Sequence, residues 1–144
     1  MPPLPCMCAS LRRASRAISQ LYDMAMRPLG LTITQFTILQ ALTLAGEVSQ
    51  GRLGEILSMD STTLTRTLNI LRKHGWIASR RGFDRRERLL RLSPAGKAEF
   101  DRALPHWQST QAQMRALIGT TRWNRLANLI HEVTSVVAEQ GDFS

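Results

Sequence analysis

Two short amphipathic segments, over residues 50–57 and 62–74, constrain the fold more than any other feature of this chain. Ser49 stands before the first segment and Asp60 or Ser61 before the second, and residues of these types cap helix N-termini. Apolar side chains recur at helical spacing in both segments, which is typical of one buried face. The chain is therefore predicted to form two short helices on either side of a tight turn. Their predicted buried residues are Leu53, Ile56 and Leu57 in the first helix and Leu64, Leu68 and Leu71 in the second.

The residues after Gly75 follow a different period. Residues 76–80 and 87–92 are predicted as two strands joined by the basic turn 82–86. Two helices across a tight turn form a helix-turn-helix pattern, and the second helix of such a pattern docks in the major groove of DNA. The sequence therefore indicates a DNA-binding lobe that carries a basic hairpin.

Further helices are predicted over residues 10–27, between Thr34 and Gly46, over residues 94–118, and from Thr121 onward. Thr34 and Ser93 are the expected caps of the second and third of these helices, and Pro105 is expected to kink the third. Nothing remains within one chain to cover the apolar stripes of the first and last helices. A homodimer with a shared core is therefore predicted. The stripes are Leu11, Ile18 and Leu21 in the first helix and Leu126, Leu129, Ile130 and Val133 in the last.

The charge of the chain favours a nucleic-acid partner. The 144 residues carry a formal net charge of +8, and Lys73 and Lys97 are the only lysines, so arginine supplies almost all of the excess. Arginine forks bind phosphates and guanine edges in a two-pronged manner. Charge alone does not separate a nucleic-acid surface from a solvated one.

Several other classes of protein do not fit the sequence. No run of about 18 apolar residues exists, and the start lacks the features of a secretory signal, so no membrane span and a cytoplasmic location are expected. There is no nucleophile–base pair, no set of supported paired carboxylates and no phosphate-cradling glycine loop. The chain is therefore not expected to be an enzyme.

Residues 53–96 resemble the MarR family of winged helix-turn-helix transcription regulators. The matching segments are Thr-Thr-Leu-Thr-Arg at 62–66, Leu-Arg-Lys-His-Gly-Trp-Ile at 71–77, Asp-Arg-Arg at 84–86 and Leu-Arg-Leu-Ser-Pro-Ala-Gly at 90–96. With the helices before and after in the expected order, the resemblance covers residues 9 to 140.

The resemblance implies a mostly α fold with a small β wing. It divides the chain into an N-terminal arm (1–8), a winged helix-turn-helix lobe (34–93) and a helical dimerisation region (9–33 and 94–144). It also implies a dimer on double-stranded DNA, with helix 62–74 in major grooves of a pseudo-palindromic operator and the wings in minor grooves. The implied function is a sequence-specific regulator, and a repressor that a small molecule, oxidant or soft metal releases. The alternatives are a non-specific architectural DNA-binding protein and a protein-interaction module.

The predicted DNA contacts lie on the second helix and the hairpin. By resemblance Arg86 is the minor-groove arginine and Asp84 orients the wing arginines, whereas Arg66 is the expected base reader. The same residues could instead be capping groups and a solvated charge cluster. The full predicted set is Ser61, Thr62, Thr63, Thr65, Arg66, Arg72, Lys73, Arg85, Arg86 and Arg88.

A sensing element is expected at one of two places. Cys6 and Cys8, two positions apart on a segment predicted to be extended, would point the same way and offer two sulfurs to a soft metal or an oxidant. The alternative is that they pack at the dimer interface. Trp107 and Trp123 are expected in the interface core or around an effector pocket. No cofactor is required by the sequence.

Overall fold

The computed structural model describes residues 2–141 and is mostly helical, as predicted. Met1 of the predicted arm and the last three residues of the predicted dimerisation region lie outside the described part. The chain forms two compact units, one ending at Trp107 and one beginning at Gln108. The elements are α1 (Met7–Met26), a short 3-10 turn (Arg27–Leu29), α2 (Ile33–Ala45), β1 (Val48–Ser49), α3 (Gln50–Leu57), α4 (Ser61–Lys73), β2 (Ile77–Arg81), β3 (Arg88–Leu92), α5 (Pro94–Ile118) and α6 (Thr120–Glu139).

Within the described residues, no single helix has the length and apolar composition needed to cross a membrane. The bent pair over 7–29 and 33–45 meets those two criteria only when its members are taken together.

Helix caps decide where the helices of the first unit begin. Ser49 accepts a hydrogen bond from the backbone N–H of Arg52 at 3.1 Å, and an Asp60 carboxylate oxygen accepts one from that of Thr63 at 2.9 Å. These caps confirm the predicted starts of α3 and α4. The prediction of Thr34 as the cap of α2 is wrong. Thr32 caps α2, because its hydroxyl accepts a hydrogen bond from the Gln35 N–H. The Gln35 side chain in turn accepts one from the Thr32 N–H, and the two bonds form a capping box.

The core of the lobe contains most of the residues that the periodicity predicted. Leu53, Leu64, Leu68 and Leu71 are buried, whereas Ile56 is 45% exposed, which contradicts the prediction for that residue. A helix rotates by about 100° per residue, so Ile56 stands about 100° around the axis from Leu57. Leu57 is half-buried, so α3 turns Leu53 fully inward and covers its two apolar neighbours on either side only in part.

The predicted hairpin is present, and its strands match the prediction to within about one residue. β2 and β3 pair antiparallel from Ile77 opposite Leu92 to Arg81 opposite Arg88. A third strand, β1, lies on the other side of β3 and was not predicted. Two residues are too few to show a periodicity, so no pattern in the sequence marks β1.

The junction between the sheet and α5 explains the Ser-Pro-Ala-Gly run. Ser93 Oγ accepts from the Gly96 N–H at 3.0 Å and donates to the Gly75 carbonyl at 2.5 Å, which confirms Ser93 as the cap of α5. The Ser93 N–H donates to the Trp76 carbonyl at 3.0 Å. Gly96 faces this carbonyl so closely that a Cβ atom would overlap it. Helix α5 continues through Pro105.

The N-terminal arm is shorter than predicted, because α1 begins at Met7. The Leu4 carbonyl accepts from Ser10 Oγ at 3.1 Å, and the Pro2 carbonyl accepts from Arg13 Nη1 at 2.9 Å. These contacts hold the arm against the first turns of the helix and so favour its early start.

Helix α6 has no buried residue in its own unit. Its apolar stripe is 40–58% exposed, which confirms that a single chain leaves it uncovered. On α1, Leu11 is 49% exposed. The exposed residues of the α6 stripe are Leu126, Leu129, Ile130, Val133, Val136 and Val137.

We expect Gly96→Ala to lower the free energy of unfolding by about 1–3 kcal/mol, because the added methyl group has no room beside a backbone carbonyl. Gly51→Ala in α3 is the matched control, since nothing lies within 4 Å of its Cβ position. Urea denaturation of both variants measures the difference. Equal stability of the two would contradict the close packing at Gly96.

Candidate nucleic-acid interface

Helix α4 presents a polar side that faces away from the core. Ser61, Thr62, Thr63, Thr65 and Arg66 are exposed, while the leucines of the same helix are buried. Exposed hydroxyls and N–H groups at a helix start are suited to phosphate oxygens and base edges.

The start of α4 is fixed by the ionised side chain of Asp60. Hydrogen bonds from the hydroxyl and the backbone N–H of Thr63 hold the pKa of Asp60 below its ordinary value. The cap therefore stays charged at neutral pH.

A hydrogen bond between two helices steadies the exposed side of α4. Gln50 Nε2 donates to Thr65 Oγ1 at 3.1 Å, although the two residues are 15 positions apart. Gln50 was not among the predicted residues. The Thr65 hydroxyl keeps its own proton free to donate, so the contact does not exclude a DNA contact.

The two basic residues at the other end of α4 lie apart from this cluster. Lys73 is exposed, and Arg72 is half-buried with its Nη1 donating to Asn69 Oδ1 at 3.1 Å. The rise of a helix puts Lys73 about 16 Å along the axis from Thr62. The structure therefore brings the five predicted residues at the helix start together and leaves Arg72 and Lys73 separate from them.

The tip of the hairpin is an ordered turn. The Gly82 N–H donates to the Glu87 carbonyl at 3.0 Å, and the Glu87 N–H donates to the Asp84 carbonyl at 2.9 Å. Asp84 Oδ1 accepts from the backbone N–H of Arg86 at 3.1 Å. Asp84 therefore contacts Arg86 through its backbone. The three predicted wing arginines, Arg85, Arg86 and Arg88, are exposed.

A carboxylate ahead of β1 contacts one arginine on each strand of the hairpin. Glu47 accepts from Arg80 through both carboxylate oxygens, at 2.9 and 2.5 Å, and lies 3.7 Å from Arg91 Nη1. The hydrogen bond from Arg80 lowers the pKa of Glu47, and the charges of both arginines add to this. Glu47 was not predicted, because its partner Arg80 is 33 positions away in the sequence.

An open groove of about 570 Å³ separates the hairpin from the start of α3. Its wing side includes Arg86 and Arg88, and its other side includes Ser49 and Gln50. Two of the predicted DNA-binding arginines thus share one concave surface.

The structure changes the geometry expected for the cysteines. Cys6 and Cys8 are both exposed. Cys6 has an extended backbone at the N-cap position of α1, whereas Met7 and Cys8 lie in the first turn of the helix, so the prediction of an extended segment is wrong for Met7 and Cys8. The alternation of side chains along an extended segment therefore does not hold between Cys6 and Cys8, which removes the geometric reason for two sulfurs meeting one ion. Among residues 2–141, no group of three or more His, Cys, Asp or Glu side chains is placed to hold a metal.

The two tryptophans predicted in the interface core or around an effector pocket, Trp107 and Trp123, lie in different units, and each has an aromatic or cationic neighbour. Trp107 stacks on Phe36 of the lobe core with ring centroids 5.9 Å apart. The guanidinium of Arg115 lies 5.8 Å from the ring centroid of Trp123. Their part in an effector pocket stays a prediction.

Comparison with known proteins identifies the family. The model of the MarR family matches residues 31–87. The crystal structure of the Mycobacterium tuberculosis transcriptional regulator MosR in complex with DNA is 33% identical, with a TM-score of 0.84, and covers 94% of this chain and 98% of that one. The chain belongs to the MarR family.

Other relatives of this MarR-family chain match over a smaller part of its length. An uncharacterised HTH-type transcriptional regulator of Bacillus subtilis, YwoH, is 28% identical over 63% of this chain and 66% of its own length. The multiple antibiotic resistance protein MarR of Salmonella typhimurium is 39% identical over 49% of this chain and 50% of its own length. The matches thus span about half to two thirds of these curated relatives.

We expect Glu47→Gln to loosen the hairpin while leaving global stability nearly unchanged, because an exposed ion pair contributes little to the whole fold. Amide hydrogen exchange in β2 and β3, corrected for intrinsic rates, should become faster. The unsubstituted protein should show the same change on acidification. The pKa of Glu47 lies below 4.5, the ordinary value for a glutamate, so most of the carboxylate is still charged at that pH. The contact with Arg80 is lost as the pH falls through the lowered pKa.

Glu55→Gln is the matched control for this experiment. Glu55 pairs with Arg52 at 2.9 Å within α3 and does not touch the hairpin. If both variants leave the exchange rates of the hairpin unchanged, Glu47 does not position it.

Proposed function

We propose that this protein is a sequence-specific DNA-binding transcription regulator that acts as a homodimer. The observation that carries the proposal is the pairing, in one lobe, of a capped helix with an exposed polar start and an ordered, arginine-rich hairpin. Helix α4 would enter a major groove, and the hairpin, hereafter the wing, would reach the flanking minor groove. The related MosR, solved in complex with DNA, supports this assignment.

The residues of the lobe divide by the part of DNA they would contact. The hydroxyls of Ser61 and Thr62 are suited to phosphates, which set the register, whereas the hydroxyl and the N–H of Thr63 already donate to Asp60. Arg66, on the exposed side one turn further on, can reach a guanine edge in two-pronged fashion. Arg86 in the wing would enter the minor groove, where the negative potential is strong.

Regulation would take place in the cytoplasm, where the operator is accessible, with repression as the proposed effect. Release by a small molecule, an oxidant or a soft metal remains part of the proposal. Cys6 and Cys8 are exposed, and exposed thiols are open to oxidation. A Cys6→Ser/Cys8→Ser variant that responds to hydroperoxide as the unsubstituted protein does would remove the cysteines from this role.

The decisive experiment is selection of bound sequences from a random duplex pool. A pseudo-palindromic consensus with half-sites about one helical turn apart would support both specificity and dimeric binding. Binding without any consensus would point to an architectural DNA-binding protein. The absence of saturable duplex binding would leave a protein-interaction module.

We expect Arg86→Ala to weaken operator binding by about 1–3 kcal/mol and to reduce its dependence on salt, because one minor-groove cation is lost per subunit. Arg66→Ala should instead relax the preference at one base position. Fluorescence anisotropy over a series of salt concentrations measures both effects. Arg125→Ala in α6 removes the same charge outside the lobe and is the control. An Arg86→Ala protein that matches this control at about 0.15 M salt refutes the minor-groove role.

We expect Leu129→Glu to abolish dimer formation and the helical signal that depends on it, because the apolar stripe of α6 needs a second chain to cover it. Sedimentation equilibrium and circular dichroism at micromolar concentration measure the two changes. Leu44→Glu is the control, since Leu44 is 83% exposed in α2 and lies off the stripe. A stable, fully helical monomer of the unsubstituted protein would contradict the shared core.

A further inference from the structure

Phe83 at the tip of the wing is the most exposed large apolar side chain that the structure describes. Its relative exposure is 108%, compared with 83% for Leu44 and 80% for Leu117. An aromatic ring in water forgoes the gain that burial would give it. Such a ring at the end of a projecting element therefore suggests contact with another molecule.

In the turn that carries Phe83, the residues before and after it, Gly82 and Asp84, are both hydrogen-bonded. The Gly82 N–H and the Glu87 carbonyl close the turn at 3.0 Å, and the ladder of β2 and β3 extends to the pair Arg81 and Arg88 immediately before it. Asp84, the next residue, is held through its carbonyl and its carboxylate. The backbone of the tip is therefore ordered in a form that presents the ring to solvent.

The charges around the Phe83 ring indicate which kind of molecule the ring would contact. Residues 80–88 contain five arginines and two acidic residues, which gives a net charge of +3. The guanidinium of Arg80 is paired with Glu47, but Arg85, Arg86 and Arg88 are exposed. Like charge disfavours contact with the same tip of a second copy, and charge is depleted from the centres of apolar protein interfaces. An apolar ring within a basic turn suits a polyanion that also offers apolar surface.

We propose that Phe83 is an apolar wedge that enters the minor groove of duplex DNA beside Arg86 and partly unstacks one base step. This inference rests on the proposed DNA binding and adds a second kind of contact to it. Phenylalanine inserted between base steps from the minor groove bends duplexes in architectural proteins. Here the arginines of the turn neutralise the phosphates that flank the groove, and the ring contacts the deoxyribose and base faces within it.

The wedge gives the wing a way to read sequence without hydrogen bonds to bases. Pyrimidine–purine steps such as TA unstack more easily than A-tracts, which are stiff. Operators with a TA step under each wing should therefore bind more tightly than operators with an A-tract there. Removal of the ring should abolish this preference.

The test compares the unsubstituted protein with Phe83→Ala, Phe83→Leu and the control Leu44→Ala on a duplex recovered by selection. The duplex is made in two forms, with TA steps or A-tracts at its flanks, and 2-aminopurine reports unstacking at the TA step. We expect Phe83→Ala to bind the TA form about tenfold more weakly, to lose the preference for it and to give no rise in 2-aminopurine fluorescence. Phe83→Leu should retain part of each effect, and Leu44→Ala should retain all of them. Thermal unfolding should be the same for all four proteins.

The possible failures are distinguishable. If the unsubstituted protein selects no duplex, the proposed function and the wedge fail together. If it binds an operator but Phe83→Ala keeps the affinity, the flank preference and the fluorescence rise, only the wedge is overturned. Insertion is also overturned if Phe83→Ala loses the same affinity for both duplex forms and still gives the fluorescence rise of the unsubstituted protein. A Phe83→Ala effect on sedimentation with none on DNA binding would assign the ring to a protein contact.

Discussion

Ser93 makes the contacts on which the geometry of the lobe depends. Its hydroxyl bridges the Gly75 carbonyl and the Gly96 N–H, and its own N–H binds the Trp76 carbonyl. One residue, through its hydroxyl and its backbone N–H, therefore connects the end of α4, the entry to the hairpin and the first turn of α5. The junction thereby ties the end of α4 to the open end of the hairpin, where Trp76 precedes β2 and Ser93 follows β3.

The parts of the fold that the sequence predicted well are those set by neighbouring residues. Ser49 and Asp60 cap the helices that follow them, and the leucines of α4 are buried at the spacing that one helical face requires. The hairpin could be placed because its strands have a different period from the helices. Even the local rules failed where two candidates competed, since Thr32 rather than Thr34 has the glutamine that completes the capping box.

The features that the sequence did not predict depend on residues far apart in the chain. Glu47 holds Arg80 across 33 positions, and Gln50 holds Thr65 across 15. No spacing rule connects such pairs, because their proximity results from the packing of α2, α3 and the sheet. Cys8 is helical for a similar reason. Ser10 and Arg13 donate hydrogen bonds to backbone carbonyls of the arm, and these contacts favour a start of α1 earlier than its periodicity suggests. The predicted DNA-contact residues could be named in advance, whereas the contacts that hold them in place could not.

The small sheet also bears on how the protein behaves at high concentration. Its two outer strands are β1, only two residues long, and β2, whose exposed end carries Arg80 and Arg81. Unpaired strand edges are templates for intermolecular pairing, and short length and like charge are two ways of blunting them. Neither edge offers a long, neutral run to a second molecule. The lobe can thus expose a β hairpin to its surroundings without providing a nucleus for fibrous aggregation.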